Sequence, residues 1–413
     1  MANVRTTVVP ASKPVPRKTE VLVLNQIAAV GLKRFSSERY SLVKEAKSPA
    51  VVLVRSQDLH AADFAAVLGH RLLAIGRAGA GTNNIPVVAL SSRGLPVFNA
   101  PGANANAVKE LVLAGMLLGA RNLPGALEFV RGLDSDAPEL DKRIEEGKKA
   151  FAGMELPGHT LGVIGLGRVG SLVADAAIRL GMHVLGFDPD ITVDGAWSLP
   201  SQVRRANSID EVLKASHFLT LHVPLVDRTR HLVNAKNVDL MKPGAILLNF
   251  SREGVVEEEA VLKGLRTHRL KAYVTDFPTA PLIRVPGVIA LPHLGASTRE
   301  AEENCAVMLA DQVCDYIEHG NIRNAVNFPE VAMPRESPFR VAIANANVPN
   351  MLARISNAMG VAGLNIHTML NKSRGEMAYT LVDVDSAVPS AVIEELRNID
   401  GVLAVRYLPA DHE

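Results

Sequence analysis

Two residues in the second half of the chain have side chains suited to chemistry. His293 lies in VTDFPTAPLIRVPGVIALPHLGAS, just past the apolar run VIALP and two residues before Gly295. Imidazole titrates near neutrality, so it can take up a proton and give it back at physiological pH. Arg252 lies in NFSREG, just past another apolar run, AILLNF. Its guanidinium is planar and keeps its charge, which suits it to hold a carboxylate through two parallel hydrogen bonds and to polarise a carbonyl. Taken singly, each has a plainer reading. A histidine at a strand end is more often structural, and an arginine there is more often a surface charge. If both runs are strands of one sheet, the two side chains converge on one crevice and can hold a carboxylate while moving a proton.

A third feature gives that pair a context. Gly165-Leu166-Gly167-Arg168-Val169-Gly170 reads GxGxxG. The pattern alone is weak, but here it closes the apolar run LGVI and opens the helical segment SLVADAAIRLGM, the setting it requires. Such glycines permit a tight turn and a close approach, so the helix N-terminus can face a pyrophosphate. Arg168 and Val169 belong to the same loop, with Arg168 toward the pyrophosphate. The next strand ends at Asp188, 18 residues beyond Gly170. A carboxylate there accepts from a ribose 2′-hydroxyl and repels a 2′-phosphate, which selects NAD over NADP. The plainer alternative is a structural glycine-rich turn. NAD is the expected cofactor, and an NAD enzyme acting on a hydroxyl needs the cation and the base that Arg252 and His293 supply.

The elements that must position these residues follow from the rhythm of the chain. Its 413 residues correspond to about three domains at ~150 residues each. Hydrophobic residues make up 48%, aromatics only 4%, and there are 31 glycines, the profile of an α/β protein. A net charge of +1 gives no basic footprint for nucleic acid. There is no apolar run of membrane-spanning length and nothing resembling a signal peptide, so a cytoplasmic protein is expected. Cys305 and Cys314 read as reduced core thiols, and no metal site is expected.

From Glu20, the runs EVLVL, VVLVR, LLAIG and LPVFN alternate with helical patterns, as in a parallel sheet with crossover helices. A long helix starts at Ala105, and a polar stretch runs from Arg131 to Lys149. A second α/β series follows, with strands LGVIG, HVLGF, FLTLHV, AILLNF, KAYVTD and GVIAL. From Phe339 the rhythm becomes strand, helix, strand, strand, helix, strand, a ferredoxin-like βαββαβ module.

Six blocks, in order, resemble the D-isomer-specific 2-hydroxyacid dehydrogenases. They are GRAGAGTNNI, VFNAPGANANAVKE, GLGRVG, LHVPLVDRTRHLVN, NFSREGVVEEEAV and LPHLGAS. The terminal module resembles an ACT domain, a small regulatory module that commonly binds amino acids. The resemblance covers about residues 20–413 and points to the members that oxidise 3-phosphoglycerate to 3-phosphohydroxypyruvate, the entry to serine synthesis. It implies a Rossmann-type NAD domain (104–298) inserted in a split, flavodoxin-like substrate domain (20–103 and 299–326). A tail (1–19), a linker (327–338) and the ACT module (339–413) complete the chain.

Carried over by position, Arg252 binds the substrate carboxylate and carbonyl, and His293 is the acid/base. Arg55 and Arg77 match arginines near the substrate, where a phosphate needs cations, and Asn104 lines the same cleft. His222, Val223 and Pro224 match a strand-end block beside the cofactor. Phe250, Ser251, Asp276 and Gly295 match positions around the nicotinamide. In the module, Asn345, Asn347 and Asn365 occupy the places of a serine site, so L-serine is a possible effector. The resemblance also implies a homodimer or homotetramer.

Two departures stand out. Relatives pair the catalytic histidine with a glutamate, and Ala280 stands at that position here, with Pro281 if the register is shifted to align Asp276. An active enzyme with an altered pH profile is therefore expected, with Asp276 serving the cofactor. In the module, Asn345 replaces a usual histidine and Asn350 a usual glycine. Two rival readings remain open at this point: another 2-hydroxy acid such as glycerate, and an NAD-sensing scaffold without turnover.

Overall fold

The computed structural model describes residues 18–61, 69–136 and 138–410. They separate into two compact units, one holding the residues up to Ala100 and from Cys305 onward, the other Pro101–Asn304. All but the last two residues of the expected N-terminal tail lie outside the described residues, and Thr19 already opens the first strand.

In the first unit, β1 (Thr19–Val23), β2 (Tyr40–Val43), β3 (Val51–Val54), β4 (Ala74–Arg77) and β5 (Val97–Phe98) form a parallel sheet ordered β2-β1-β3-β4-β5. That is the flavodoxin-like order expected from the sequence. The short helices α1 (Ala29–Leu32) and α2 (Val87–Ser91) belong to it. Every residue of β3 is buried, because a parallel sheet is covered on both faces and needs an unbroken apolar run. One face packs Leu22, Val52, Ile75 and Leu90, and the other packs Val21, Val51, Leu53 and Phe98.

The second unit opens with α3 (Ala105–Ala120), α4 (Leu123–Arg131) and α5 (Leu140–Gly147). The long helix expected from Ala105 is α3, and Asn122, whose φ of 52° puts it in the left-handed region, separates it from α4. The expected polar stretch after Arg131 holds α5. The sheet then forms from β6 (Thr160–Ile164), β7 (His183–Phe187), β8 (Arg204–Arg205), β9 (Phe218–Leu221), β10 (Ala245–Asn249), β11 (Leu270–Thr275) and β12 (Val288–Ala290). Its helices are α6 (Arg168–Arg179), α7 (Val193–Trp197), α8 (Ile209–Ala215) and α9 (Glu258–Arg266). The order β12-β11-β10-β9-β6-β7-β8 runs outward in both directions from the β6–β9 pair. This is the doubly wound Rossmann arrangement, whose ligand crevice opens at the carboxyl ends of the two strands where the order reverses.

The helix α10 (Arg299–His319) leads back into the first unit and supplies Leu309, Val313 and Tyr316 to its core. The terminal module follows as β13 (Phe339–Ala346), α11 (Met351–Val361), β14 (Ile366–Arg374), β15 (Met377–Val384), α12 (Ser390–Arg397) and β16 (Val402–Pro409). Its antiparallel sheet, ordered β14-β15-β13-β16, is the ferredoxin-like one. One face packs Val341, Ile343 and Val382 against Ile355 of α11 and Leu396 of α12. The other packs Ala342, Ala344, Tyr379 and Leu381 in one core with Tyr316, Phe328 and Val331. The expected linker, 327–338, is therefore packed, with Phe328, Val331 and Met333 buried.

Arg340 closes that second face. It is fully buried and donates two hydrogen bonds to Asp383, at 2.6 and 2.8 Å. Its remaining donors go to the carbonyls of His319, Met333 and Pro334. A buried pair with every donor used is tolerable, whereas removing one partner costs roughly 3–5 kcal/mol. No helix among the described residues is long and apolar enough to cross a membrane.

Candidate active site

The β6–α6 turn is built by its backbone. Gly165 has φ of 90°, and a Cβ there would lie 2.5 Å from the carbonyl oxygen of His222. A Cβ on Gly170 would fall 1.9 Å from the Gly165 oxygen, so helix and turn can close only around glycine. Gly167 differs, since a Cβ built on it meets nothing within 4 Å. Packing does not demand that glycine. The space it keeps clear, at the N-terminus of the 12-residue α6, is what a pyrophosphate needs. Arg168 and Val169 begin that helix.

Asp188, just past β7, accepts from the Leu166 backbone N–H at 2.8 Å and from the Asp190 N–H at 3.0 Å. It ties the turn to the neighbouring strand, and each carboxylate oxygen retains a second lone pair for a ribose hydroxyl. Across the reversal point, the His222 N–H donates to the Ile164 carbonyl at 2.8 Å. Its Nε2 lies 2.9 Å from Thr220 Oγ1. Burial pushes the imidazole down to about 4, so it is neutral at pH 7 and acts as a structural wall of the crevice. Val223 and Pro224 continue from it. These residues fit a dinucleotide.

Further along the same carboxyl edge, β10 ends at Asn249 and the chain passes through Phe250 and Ser251 to Arg252. Phe250 and Ser251 are buried, Phe250 in the core beneath α3. Asn249 organises this turn. Its Nδ2 donates to the Arg252 carbonyl at 3.0 Å and to the Tyr273 hydroxyl at 3.3 Å, and its Oδ1 accepts from Ser251 Oγ at 2.8 Å. The Arg252 guanidinium donates back to the Ser251 carbonyl at 2.6 Å, and its side chain is otherwise exposed. His293 follows β12 and is exposed, with its ring 4.6 Å from that of Phe277 at an interplanar angle of 48°. Asp276, just past β11, is 1% exposed and accepts from the Gly295 N–H at 2.9 Å. Burial raises its carboxyl group above the ordinary range, while the Gly295 N–H and the charge of His293 pull it the other way.

Arg252, His293, Asp276 and Gly295 thus share the second unit with the nucleotide turn, and so does Asn104, at the start of α3. Arg55 and Arg77 belong to the first unit. They follow β3 and end β4, which are parallel neighbours, and Arg77 Nε donates to the Arg55 carbonyl at 3.0 Å. The two cations therefore stand at one sheet edge. Asn345 of the terminal module is 1% exposed, and its Oδ1 has no hydrogen-bond partner among the described residues. Asn347 donates to the Gly375 carbonyl and Asn365 to Asp385. Asn249 and Phe277 were not singled out by the sequence reading. Phe277 stands in the quoted stretch, but a phenylalanine after a strand gives no sign of what its ring touches.

Comparison with known proteins agrees with this architecture. The pattern of the D-isomer specific 2-hydroxyacid dehydrogenase NAD binding domain matches residues 123–295. A D-3-phosphoglycerate dehydrogenase of Haemophilus influenzae is 33% identical over 351 residues, 82% of this chain and 82% of that protein. One of Methanocaldococcus jannaschii is 36% identical over 296 residues, 70% of this chain, which spans about half (54%) of that longer protein. Among solved structures, apo D-mandelate dehydrogenase of Rhodotorula graminis superposes with a TM-score of 0.63 at 21% identity, covering 75% of this chain and 96% of that one. An NAD+-bound 3-phosphoglycerate dehydrogenase of Entamoeba histolytica does so at 0.59 and 24%, covering 75% and 99%. At such identities the structural likeness speaks to the fold.

Proposed function

The chain belongs to the D-isomer specific 2-hydroxyacid dehydrogenases, and from that premise we propose that it oxidises D-3-phosphoglycerate to 3-phosphohydroxypyruvate, the first step of serine synthesis. It is an NAD-dependent oxidoreductase. The observation that carries the substrate reading is the pairing of Arg55 and Arg77 at the ends of adjacent strands, two cations of the kind that a phosphate needs and an unphosphorylated 2-hydroxy acid does not.

In this reading Arg252 holds the substrate carboxylate and polarises the oxygen on C2, and Asn104 lines the substrate's place. His293 accepts the C2 hydroxyl proton as oxidation proceeds and returns it in the reverse direction. Bound NAD supplies the acceptor for the hydride. The glycines of the β6–α6 turn, with Arg168 and Val169, hold the pyrophosphate, and Asp188 the ribose. His222, Val223 and Pro224 wall the crevice, and Phe250, Ser251, Asp276 and Gly295 flank the nicotinamide.

The terminal module is an ACT domain in this reading, with L-serine as effector at Asn345, Asn347 and Asn365. The unpartnered buried Oδ1 of Asn345 favours a ligand that donates hydrogen bonds, as an ammonium does. A homodimer or homotetramer is the assembly that goes with it. Leu123, Leu127 and Val130 lie exposed along one side of α4, at helical spacing, as a subunit contact requires. The test is NADH formation from 3-phosphoglycerate at several pH values, with and without millimolar serine. Turnover quenched by serine is the expected result. Turnover with glycerate but not 3-phosphoglycerate would overturn the substrate, and unaltered turnover in serine would overturn the effector.

A further inference from the structure

Asp188 sets a carboxylate where the 2′-phosphate of NADP would fall, and a second acidic residue stands close by. Two residues on, Asp190 meets Arg228, 38 residues further along the chain. The contact is bidentate: Arg228 Nη1 donates to Oδ1 at 3.2 Å, and Nη2 donates to Oδ2. Asp190 follows β7 and Arg228 stands in the loop after β9, and these are the two strands that flank β6. The pair therefore joins the two sides of the crevice that the β6–α6 turn opens, at the end where Asp188 is read as holding the ribose.

Both ends of the pair are anchored. The Asp190 N–H donates to Asp188 Oδ1 at 3.0 Å, so the two carboxylates belong to one short turn. The loop that carries Arg228 is closed by Thr229, which is 7% exposed. Its Oγ1 donates to the Pro224 carbonyl at 2.5 Å and accepts from the Val226 N–H at 2.9 Å. The Arg228 and Asp190 side chains themselves are more than half exposed. An ion pair so open to water adds little to stability, so the fold has small need of it. Its consequence is electrical. A guanidinium fork matches a phosphate as well as it matches a carboxylate, and here the fork is already taken.

We propose that Asp190 is a cofactor-selecting residue that acts through Arg228. Asp188 accepts from the ribose hydroxyl and repels a 2′-phosphate. Asp190 completes the choice by cancelling the charge of an arginine that would otherwise receive that phosphate. An arginine near this turn is what lets dinucleotide folds accept the 2′-phosphate of NADP. The chain thus carries part of a NADP site and keeps it neutralised. The proposal rests on the reading of Asp188 as the ribose's partner.

Asp190→Ser in the full-length enzyme releases Arg228 and retains the backbone N–H that holds Asp188. We expect kcat/KM with NADP to rise about tenfold to a hundredfold, the contribution of a charge-assisted hydrogen bond to phosphate. The value with NAD should stay within about threefold, and the melting temperature within about two degrees. NADPH affinity, read by fluorescence titration in the absence of substrate, should rise with NADP turnover. Adding Arg228→Gln to Asp190→Ser should cancel both gains, a reversal that a merely structural role for Asp190 would not give.

Asp190→Ser with no gain toward NADP or NADPH would overturn the proposal, and so would a gain that survives Arg228→Gln. The ribose reading fails separately: unchanged NADH affinity in Asp188→Ser would strike it, while the Asp190 and Arg228 variants would still decide whether the pair governs NADP. Rates can be taken with any 2-hydroxy acid the enzyme oxidises, and the NADPH titration needs none. Failure with 3-phosphoglycerate would therefore strike the substrate reading and leave this test standing.

Discussion

The two turns to which the proposed function assigns the cofactor and the proton lie on one sheet edge and are built by opposite means. The β6–α6 turn is defined by its main chain, with glycines where any Cβ would collide and backbone N–H groups tied to Asp188 and Ile164. The turn after β12 is defined by side chains: an exposed imidazole against a phenyl ring, and a buried carboxylate with one oxygen idle. Cofactor binding asks for a fixed cradle, and a backbone supplies it without moving parts. Proton transfer asks for a group whose charge can change, and such a group must stay adjustable by its neighbours. The first kind of site is rigid and sensitive to sterics, the second to charge.

The largest effect that separates the two is expected at His293. His293→Asn should lower kcat by roughly 10²–10⁴ and leave NADH titrations nearly unchanged, since nothing in the β6–α6 cradle depends on it. A loss of cofactor affinity matching the loss of rate would merge the two turns into one functional unit. Next in size is Gly170→Ala. Its Cβ would fall 1.9 Å from a backbone oxygen, so turn and helix must part, with NADH affinity down about 100-fold and thermal stability down by several degrees. Gly167→Ala is the control. With open space around its Cβ, it should keep its melting temperature and lose NADH affinity by about tenfold, because only the incoming pyrophosphate is obstructed.

How far these turns could be read in the sequence follows the same division. GLGRVG announces itself because backbone demands are written as residue types: a position that tolerates no Cβ must be glycine. The strands beside it were legible too, since a sheet covered on both faces needs runs such as LGVI. Asn249 was not legible. It ends the apolar run AILLN, and its partners include Tyr273, 24 residues away, brought near only by the β10–β11 pairing. Arg340 was hidden for a related reason. In FRVAIANA it falls on the face that an open antiparallel sheet would give to solvent, but here that face is covered and shares a core with Tyr316 and Phe328. Side-chain networks that form across tertiary contacts leave little trace in local pattern.

Asn249 offers a smaller test of the side-chain turn. Asn249→Ala frees the carbonyl of Arg252 and the hydroxyls of Ser251 and Tyr273 at once, so Arg252 loses its fixed approach. A drop of about tenfold in kcat/KM, carried by KM for the carboxylate substrate, is expected from loosening an oriented group. Rescue by Asn249→Asp is not expected, because a carboxylate cannot donate to the Arg252 carbonyl. A variant with unchanged KM would show that the Arg252 turn is held by its backbone after all, as the cofactor turn is.

The smallest effect sharpens the comparison by setting His222 against His293. His222 lines the backbone-built crevice with its Nε2 at Thr220, and burial holds it down to about 4 from an ordinary value of 6.5. A histidine whose folded value is depressed resists protonation only while the chain is folded. Its stabilising share is therefore complete above pH 6.5 and drains away as pH falls toward 4. Between pH 7.5 and 5.5 that amounts to about 1 kcal/mol of unfolding free energy, from the proton linkage of one such group. His217, at the opposite edge and 3.2 Å from Lys242 Nζ, is likewise pushed down by burial and by that cation, and adds to the loss in the same direction. Denaturant titrations at the two pH values, for the native chain and for His222→Asn, should show the smaller decline in the variant. An equal decline in both would mean that His222 is accessible to protons in the folded state, and the wall of the cofactor crevice would then be as adjustable as the turn that carries His293.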